Sequence, residues 1–200
     1  MNNNKLYENT SFQHILKITE SLILEKGCSS TTLKDIIDNS GLSKGAIYHY
    51  VSSKNELYGL ILQSKIEKIN ESFNEQIKQA AASKDTNGPF HLISQFFYEN
   101  QKSGDAGNLI FVYLLSQNDV KVKAILENIY ALSRNVGEKW IKSGQENGVI
   151  PTELDAGKFT DLLMTFSYGL RVKQMISPKD KDTKQLELKD INKLIMKALS

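Results

Sequence analysis

Residues 31–57 read TTLKDIIDNSGLSKGAIYHYVSSKNEL, and they contain the most informative pattern of the chain. Thr32 and Ser43 are favoured N-cap residues, and each precedes a short run with apolar residues at helical spacing. Gly41 lies between the two runs and permits the left-handed backbone conformation that a tight turn needs. The stretch therefore predicts two short helices, the first stopped by Gly41 and the second ending near Tyr50, arranged as a helix-turn-helix.

The second of these helices can be divided into an inner and an outer face. Successive side chains turn by about 100° around a helix, and we place Ile47 at the centre of the buried side. Ser43, Tyr50 and Val51 then fall on that same side, within about 60° of Ile47. Gly45 and His49 fall on the opposite side, and Tyr48 lies near one flank. The spacing predicts that the outer face is free for a partner.

The outer face carries residues suited to DNA. Lys44, at its N-terminal end, can neutralise a phosphate, and Tyr48 and His49 can supply hydrogen bonds and flat contacts. Gly45 has no side chain to hold the helix away from a groove. Residues 39–53 contain no acidic residue. The alternative is that these are ordinary surface residues of a helical bundle.

The rest of the chain also has helical period and lacks an alternating strand pattern. A first helix is predicted to end at Gly27, and Ser53 with Glu56 forms a capping box that opens a long helix to about residue 82. Further helices are predicted at about 89–102, 105–117, 119–147, 153–176 and 184–199. The predicted fold class is therefore all-α, with about nine helices.

Composition narrows the class of protein. The net charge of the 200 residues is +2, so DNA binding has to depend on where the charges lie. The longest apolar run, 109–115, is too short for a membrane span, and the N-terminus lacks a signal-peptide pattern, so a cytoplasmic protein without a membrane partner is expected. Cys28 is the single cysteine. It is either a redox sensor or an inert buried thiol, and the second reading is favoured.

Catalytic and cofactor motifs are not apparent in the sequence. The three histidines, His14, His49 and His91, are far apart and on different predicted elements. Serine and aspartate residues lie in no nucleophile-elbow or P-loop pattern. We therefore expect a protein that is not an enzyme and needs no metal or cofactor.

Residues 31–37 (TTLKDII), 41–51 (GLSKGAIYHYV) and 53–57 (SKNEL) together resemble the N-terminal signature of the tetracycline-repressor (TetR) family. Two positions depart from the family pattern. Ile37 stands where alanine is common, and Val51 where phenylalanine is usual. Both keep apolar character, which indicates repacking and not a different fold.

The resemblance implies an N-terminal DNA-binding domain, residues 1–56, and a C-terminal ligand-binding and dimerisation domain, residues 57–200. It implies a double-stranded DNA operator, a homodimer and a small-molecule inducer as partners. The predicted DNA-binding residues are Thr32, Ser43, Lys44, Gly45, Ala46, Tyr48, His49, Tyr50 and Lys54. Tyr50 is also a candidate core aromatic, because it falls on the inner side of its helix.

The C-terminal half is less informative. The helices at 153–176 and 184–199 each have an apolar face, and by resemblance they form the dimer interface; the alternative is that both faces close the monomer's own core. Aromatic and polar residues on different helices are candidates for a ligand pocket, although each aromatic can equally be plain core. The candidates are Phe97, Phe111, Tyr113, Trp140, Phe166, Ser167 and Arg171. Two roles stay open for Arg171: binding an anionic ligand, or pairing with an acid across the dimer.

Two functions remain at this point. The first is a ligand-responsive repressor that binds a palindromic operator as a homodimer. The second is a DNA-binding regulator or architectural factor controlled by a protein partner, without a small ligand. A large enclosed cavity would favour the first function, and a collapsed core with an exposed apolar patch would favour the second.

Overall fold

The computed structural model describes residues 9–83, 105–148 and 150–176, and the regular secondary structure of these ranges is helical throughout. The predicted all-α class is confirmed for these residues. The helices are α1 (Thr10–Ser30), α2 (Leu33–Ser40), α3 (Lys44–Tyr50), α4 (Lys54–Ser83), α5 (Ala106–Leu115), α6 (Val120–Glu146) and α7 (Ala156–Ile176). The helices predicted at 89–102 and 184–199 lie outside the described residues, so the count of about nine stays a prediction.

The described residues fall into two compact units. The first, unit 1, comprises 9–66 and 105–131, and the second, unit 2, comprises 67–83, 132–148 and 150–176. The sequences of α4 and α6 each contribute to both units. Unit 1 thus contains α5 together with the three N-terminal helices. The boundary predicted after residue 56 separates DNA binding from ligand binding and dimerisation, whereas these units are defined by packing, so that boundary stays a prediction.

The core of unit 1 is apolar and lies where α1 packs against α2 and α5. Its fully buried side chains come from five helices, because the apolar positions of each recur at helical spacing and turn one stripe inward. They are Phe12, Ile15, Ile36, Ile47, Leu57, Tyr58, Ile110 and Leu114. The three N-terminal helices therefore share one core with α4 and α5.

A half-buried lysine joins three elements of unit 1. The ammonium of Lys65, on α4, lies 3.0 Å from a carboxylate oxygen of Glu20 on α1 and 2.9 Å from one of Asp105. Asp105 is the N-cap residue of α5, and its carboxylate also accepts a hydrogen bond from the Gly107 N–H. The two acids raise the Lys65 pKa against the opposing effect of desolvation by burial, the largest single influence on it. This network fixes the start of α5 against α1 and α4.

Two glycines set the backbone at the ends of the first two helices. Gly27 has φ 82° and interrupts the helical conformation of α1, after which one more turn reaches Ser30. The regular helix therefore ends at Gly27 as predicted, and the short turn that follows it completes α1. Gly41 has φ 66°, the left-handed conformation expected for the turn after α2.

Unit 2 has its own packing around α6. The rings of Phe73 and Trp140 stack with centroids 4.5 Å apart, and the Trp140 indole N–H donates to the Asn70 side chain at 3.0 Å. On another side of α6, Arg134 pairs with Asp161 of α7 at 2.9 Å. Within the described ranges, no helix is long and apolar enough to cross a membrane.

Candidate nucleic-acid interface

The start of α2 is held by a reciprocal cap. The Thr32 hydroxyl accepts a hydrogen bond from the Asp35 N–H at 3.1 Å, and the Asp35 carboxylate accepts one from the Thr32 N–H at 2.7 Å. Lys26 lies 2.8 Å from the same carboxylate. The hydrogen bond from Lys26, followed by those from Thr32, holds the pKa of the Asp35 carboxyl well below its usual range. Thr32 is the predicted N-cap residue, but its own N–H and hydroxyl are engaged by Asp35.

The turn between α2 and α3 is fixed by Ser40. Its hydroxyl donates to the Ile37 carbonyl at 3.1 Å and accepts from the Leu42 N–H at 3.3 Å. The Ser40 carbonyl lies 3.2 Å from Nε2 of His14 on α1. Leu42, which directly follows the Gly41 turn, packs partly buried against the core of unit 1. The direction in which α3 leaves the turn is therefore tied to α1.

The faces of α3 are as the spacing predicts, with one exception: Ser43, predicted on the buried side, is exposed, because as the N-cap residue it has extended and not helical backbone angles. Ile47 is fully buried, whereas Gly45 and His49 are exposed and Tyr48 is 46% exposed. Tyr50 is partly buried, and its ring centroid lies 5.1 Å from that of Phe12. Tyr50 therefore packs inward, in agreement with its alternative reading as a core aromatic.

The N-terminus of α3 presents a cation beside an aromatic ring. Ser43 caps the helix by accepting from the Ala46 N–H at 3.2 Å. Lys44 is exposed, and its ammonium lies 5.6 Å from the centroid of the Tyr48 ring. We call Lys44, Gly45, Tyr48 and His49 the recognition face. It combines one phosphate-neutralising charge with two side chains able to meet base edges, over a backbone without an obstructing Cβ at Gly45.

Lys54 differs from the other predicted DNA-binding residues. Its ammonium donates to the carbonyl oxygens of Cys28, Ser29 and Thr31, at 3.1, 3.1 and 3.0 Å. It also lies 5.2 Å from the centroid of the Tyr113 ring. These partners are distant in sequence, so the local pattern around Lys54 contains no signal for them.

The capping box predicted at the start of α4 forms in part. The Glu56 N–H donates to the Ser53 hydroxyl at 3.1 Å. The Glu56 carboxylate, however, accepts from the N–H and hydroxyl of Ser52, at 2.7 and 2.8 Å. The return bond therefore goes to the residue before the predicted one.

The predicted ligand-binding residues are divided between the units. Phe111 and Tyr113 lie in unit 1, partly buried against its core. Phe97 lies outside the described residues. The four remaining candidates belong to unit 2: Trp140, Phe166, Ser167 and Arg171. Trp140 and Ser167 are buried, whereas Phe166 is at the surface. Their assembly into one pocket stays a prediction.

The one thiol and the potential metal ligands offer little chemistry. Cys28 is buried, and desolvation raises the pKa of its thiol although the nearby Lys54 charge opposes the shift. A raised pKa reduces the thiolate fraction, which favours the inert reading of Cys28. In the described part of the chain, no three histidine, cysteine or acidic side chains cluster as metal ligands do.

Comparison with known proteins agrees with this geometry. The family model described as bacterial regulatory proteins, tetR family, matches residues 15–61, from within α1 into α4. An uncharacterized HTH-type transcriptional regulator, YfiR of Bacillus subtilis (strain 168), is 32% identical over 73 residues, which are 34% of this chain and 36% of that protein. The chain thus spans about a third of that relative's length.

Two further proteins match over a longer range. The HTH-type transcriptional repressor KstR2 of Rhodococcus jostii (strain RHA1) is 24% identical over 147 residues, 70% of this chain and 68% of that one. The crystal structure of FadR from Bacillus subtilis in complex with stearoyl-CoA superposes with a TM-score of 0.66 at 19% identity, covering 94% of this chain and 97% of that one. The second match shows a shared fold.

Proposed function

Because this chain belongs to the TetR family of bacterial transcriptional regulators, we propose that it is a ligand-responsive repressor that binds a palindromic operator as a homodimer. The observation that carries the proposal is the orientation of α3, with Ile47 buried and the recognition face exposed. A short helix held in this way after a tight turn can enter a major groove. Such a protein acts on the chromosome, in the cytoplasm.

The recognition face suggests a division of labour on DNA. Lys44 contacts a phosphate, and Tyr48 and His49 contact base edges or the sugar–phosphate backbone. Gly45 allows the helix to approach the groove closely. Ser43 and Ala46 lie at the N-terminus of α3, where the positive end of the helix dipole favours an anion. In a homodimer the two copies of α3 reach successive major grooves, about 34–36 Å apart, which requires a palindromic operator.

The surface of α7 supports a dimer. This helix exposes large apolar side chains to solvent in the single chain, and covering such residues is what a helical subunit interface does. The exposed residues are Leu162, Phe166, Val172, Met175 and Ile176. We propose that 153–176 and 184–199 of two chains form this interface, the second of these segments lying outside the described residues.

A small-molecule effector is the remaining part of the proposal. FadR from Bacillus subtilis, a protein of this fold, has been crystallised in complex with stearoyl-CoA. In this chain the unit 2 candidates Trp140, Ser167 and Arg171 are the residues proposed to line a site. A ligand that favours a DNA-incompetent dimer weakens operator binding by its difference in affinity for the two states. Operator and ligand must then weaken each other's binding by the same factor.

The DNA-binding proposal is tested with Tyr48→Ala and His49→Ala. A duplex is first selected from a random pool with the unaltered protein, and its affinity is measured by fluorescence anisotropy. Each variant should bind this duplex about tenfold or more weakly, since a good base contact is worth about 1–3 kcal/mol. Light scattering should show an unchanged dimer.

Tyr130→Ala is the matched control. Tyr130, on α6, is 44% exposed, close to the 46% of Tyr48, but it lies outside the helix-turn-helix. Its replacement should leave the affinity for the selected duplex unchanged. Normal binding by both Tyr48→Ala and His49→Ala would contradict the proposed orientation of α3 on DNA.

A further inference from the structure

We propose that Lys54 is a positioning residue, which fixes the start of α2 against α4, and that it does not contact a DNA phosphate. This inference rests on the proposed DNA-binding function. It concerns how the interface is assembled. The observation behind it is the convergence of three main-chain carbonyls on one ammonium group.

The hydrogen-bonding capacity of Lys54 is fully used. An ammonium group has three N–H donors and no acceptor. Its three partners, at 3.0 to 3.1 Å, are the carbonyls of Cys28, Ser29 and Thr31. Cys28 and Ser29 belong to the last turn of α1, where carbonyls have no partner within the helix. Lys54 therefore supplies from α4 the donors that the end of α1 lacks.

The contact with Thr31 determines the position of the next helix. Thr31 directly precedes Thr32, the N-cap residue of α2. The Thr31 side chain is itself buried, and its hydroxyl donates to the Gly27 carbonyl at 2.9 Å. By binding the Thr31 carbonyl, Lys54 connects the first residue of α4 to the point from which α2 starts. Lys54 thus holds the two residues that link α1 to α2 close to the start of α4.

Aromatic side chains enclose the same junction. The Tyr113 ring of α5 lies 5.2 Å from the Lys54 ammonium, within the range of a cation–π contact. The Tyr58 hydroxyl donates to the Cys28 carbonyl at 3.0 Å, and the Tyr58 and Tyr113 rings meet edge to face at 5.6 Å. To reach a phosphate, Lys54 would have to leave three carbonyls and this ring. Lys44, by contrast, is exposed at the N-terminus of α3.

Salt dependence distinguishes the two roles. A lysine that neutralises a phosphate contributes about 0.9 to the slope of log affinity against log salt, on any DNA sequence. A positioning residue leaves this slope unchanged. Its loss instead misaligns the recognition face, which lowers affinity for the specific duplex more than affinity for a scrambled duplex. A general loss of folded protein would lower both affinities in proportion.

The experiment compares Lys54→Met with Lys44→Met. Anisotropy titrations from 50 to 200 mM KCl use a duplex selected from a random pool by the unaltered protein and a scrambled duplex of the same composition. Lys44→Met should lower the slope of log affinity against log salt by about 0.9 per subunit on both duplexes. A fourfold rise in salt should then weaken binding by this variant about 3.5-fold less, per subunit, than binding by the unaltered protein. Lys54→Met should keep the slope and reduce the specific-to-scrambled affinity ratio about tenfold, comparable to one mismatched base pair.

Lys54→Arg is a second test, used if circular dichroism at the assay temperature shows that Lys54→Met does not fold. Arginine can replace lysine on a phosphate, but its planar guanidinium does not direct three donors at three converging carbonyls. The ratio should therefore fall in Lys54→Arg as well.

Two results would overturn the inference: a slope lowered in Lys54→Met as in Lys44→Met, or an unchanged affinity ratio in the folded Lys54 variants. An unchanged slope in Lys44→Met would contradict the role proposed for Lys44 alone, because Lys54 is judged by the slope and the affinity ratio of its own variants.

Discussion

Truncating Ile47 to alanine should destabilise the protein, whereas truncating Tyr48, its neighbour in sequence, should not. Ile47 is fully buried and is the single buried residue of α3. The change removes three carbon atoms, for which the transfer cost is about 2.4 kcal/mol at about 0.8 kcal/mol per methylene. The cavity left behind brings the expected loss to about 3 kcal/mol.

Urea unfolding followed by circular dichroism measures this loss. With a urea dependence of about 2 kcal/mol per molar, a loss of about 3 kcal/mol lowers the midpoint by about 1.5 M. Tyr48→Ala should change the free energy of unfolding by no more than about 1 kcal/mol, because it removes one exposed cation–π contact, with Lys44, from a surface position. This limit is well below the loss of about 3 kcal/mol expected for Ile47→Ala.

The comparison of unfolding free energies between Ile47→Ala and Tyr48→Ala tests the two faces of α3 without any DNA. Tyr48→Ala should weaken DNA binding at unchanged stability, and Ile47→Ala should lower stability first. Equal losses of stability in the two variants, or a larger loss in Tyr48→Ala, would refute the division of α3 into a buried side and a recognition face. The DNA contacts proposed for Lys44, Gly45 and His49 would then be unsupported, because they depend on this division.

Two further predictions concern packing and pH. Gly59→Ala should lower the free energy of unfolding by up to about 2 kcal/mol, because the new Cβ would lie 2.6 Å from Cγ2 of the β-branched Ile125. Overpacking costs about 1–3 kcal/mol, which exceeds the gain of about 1 kcal/mol in helix propensity. A rise in the urea midpoint would contradict this prediction. Lys26 and Thr32 lower the pKa of the Asp35 carboxyl. The ionised carboxylate therefore stabilises the folded protein at a pH above its ordinary pKa, and this stabilisation is lost as the pH falls below about 4. Asp35→Asn should therefore flatten the dependence of the melting temperature on pH in this acidic range, and parallel curves would count against the network.

The helix-turn-helix could be predicted because its determinants are local. The cap at Ser43 and the turn at Gly41 involve residues no more than four positions apart. The buried side of α3 follows from helical period alone once Ile47 is chosen as its centre. Each of these features depends on backbone geometry that is the same in every helix, so the sequence pattern is sufficient.

Features that depend on side-chain rotamers were predicted in part. The box at the start of α2 uses Asp35, whereas the familiar pattern has glutamate or glutamine at that position. Glu56 was expected to bind back to the N-cap residue, but its carboxylate reaches Ser52. A carboxylate can meet either of two adjacent N–H groups, and the choice depends on how the chain enters the helix.

Lys44 and Lys54 show where local pattern ceases to be informative. Both stand at the first position of a helix, both follow a serine, and both lie in the stretch that resembles a DNA-binding signature. The residues that separate their roles are the carbonyls at the end of α1, 23 to 26 positions before Lys54. Whether a lysine at a helix start faces DNA or the protein's own backbone is therefore decided by what packs against that start. In this chain the carbonyls of Cys28, Ser29 and Thr31 surround the Lys54 ammonium, whereas Lys44 is exposed and is the lysine proposed to meet a phosphate.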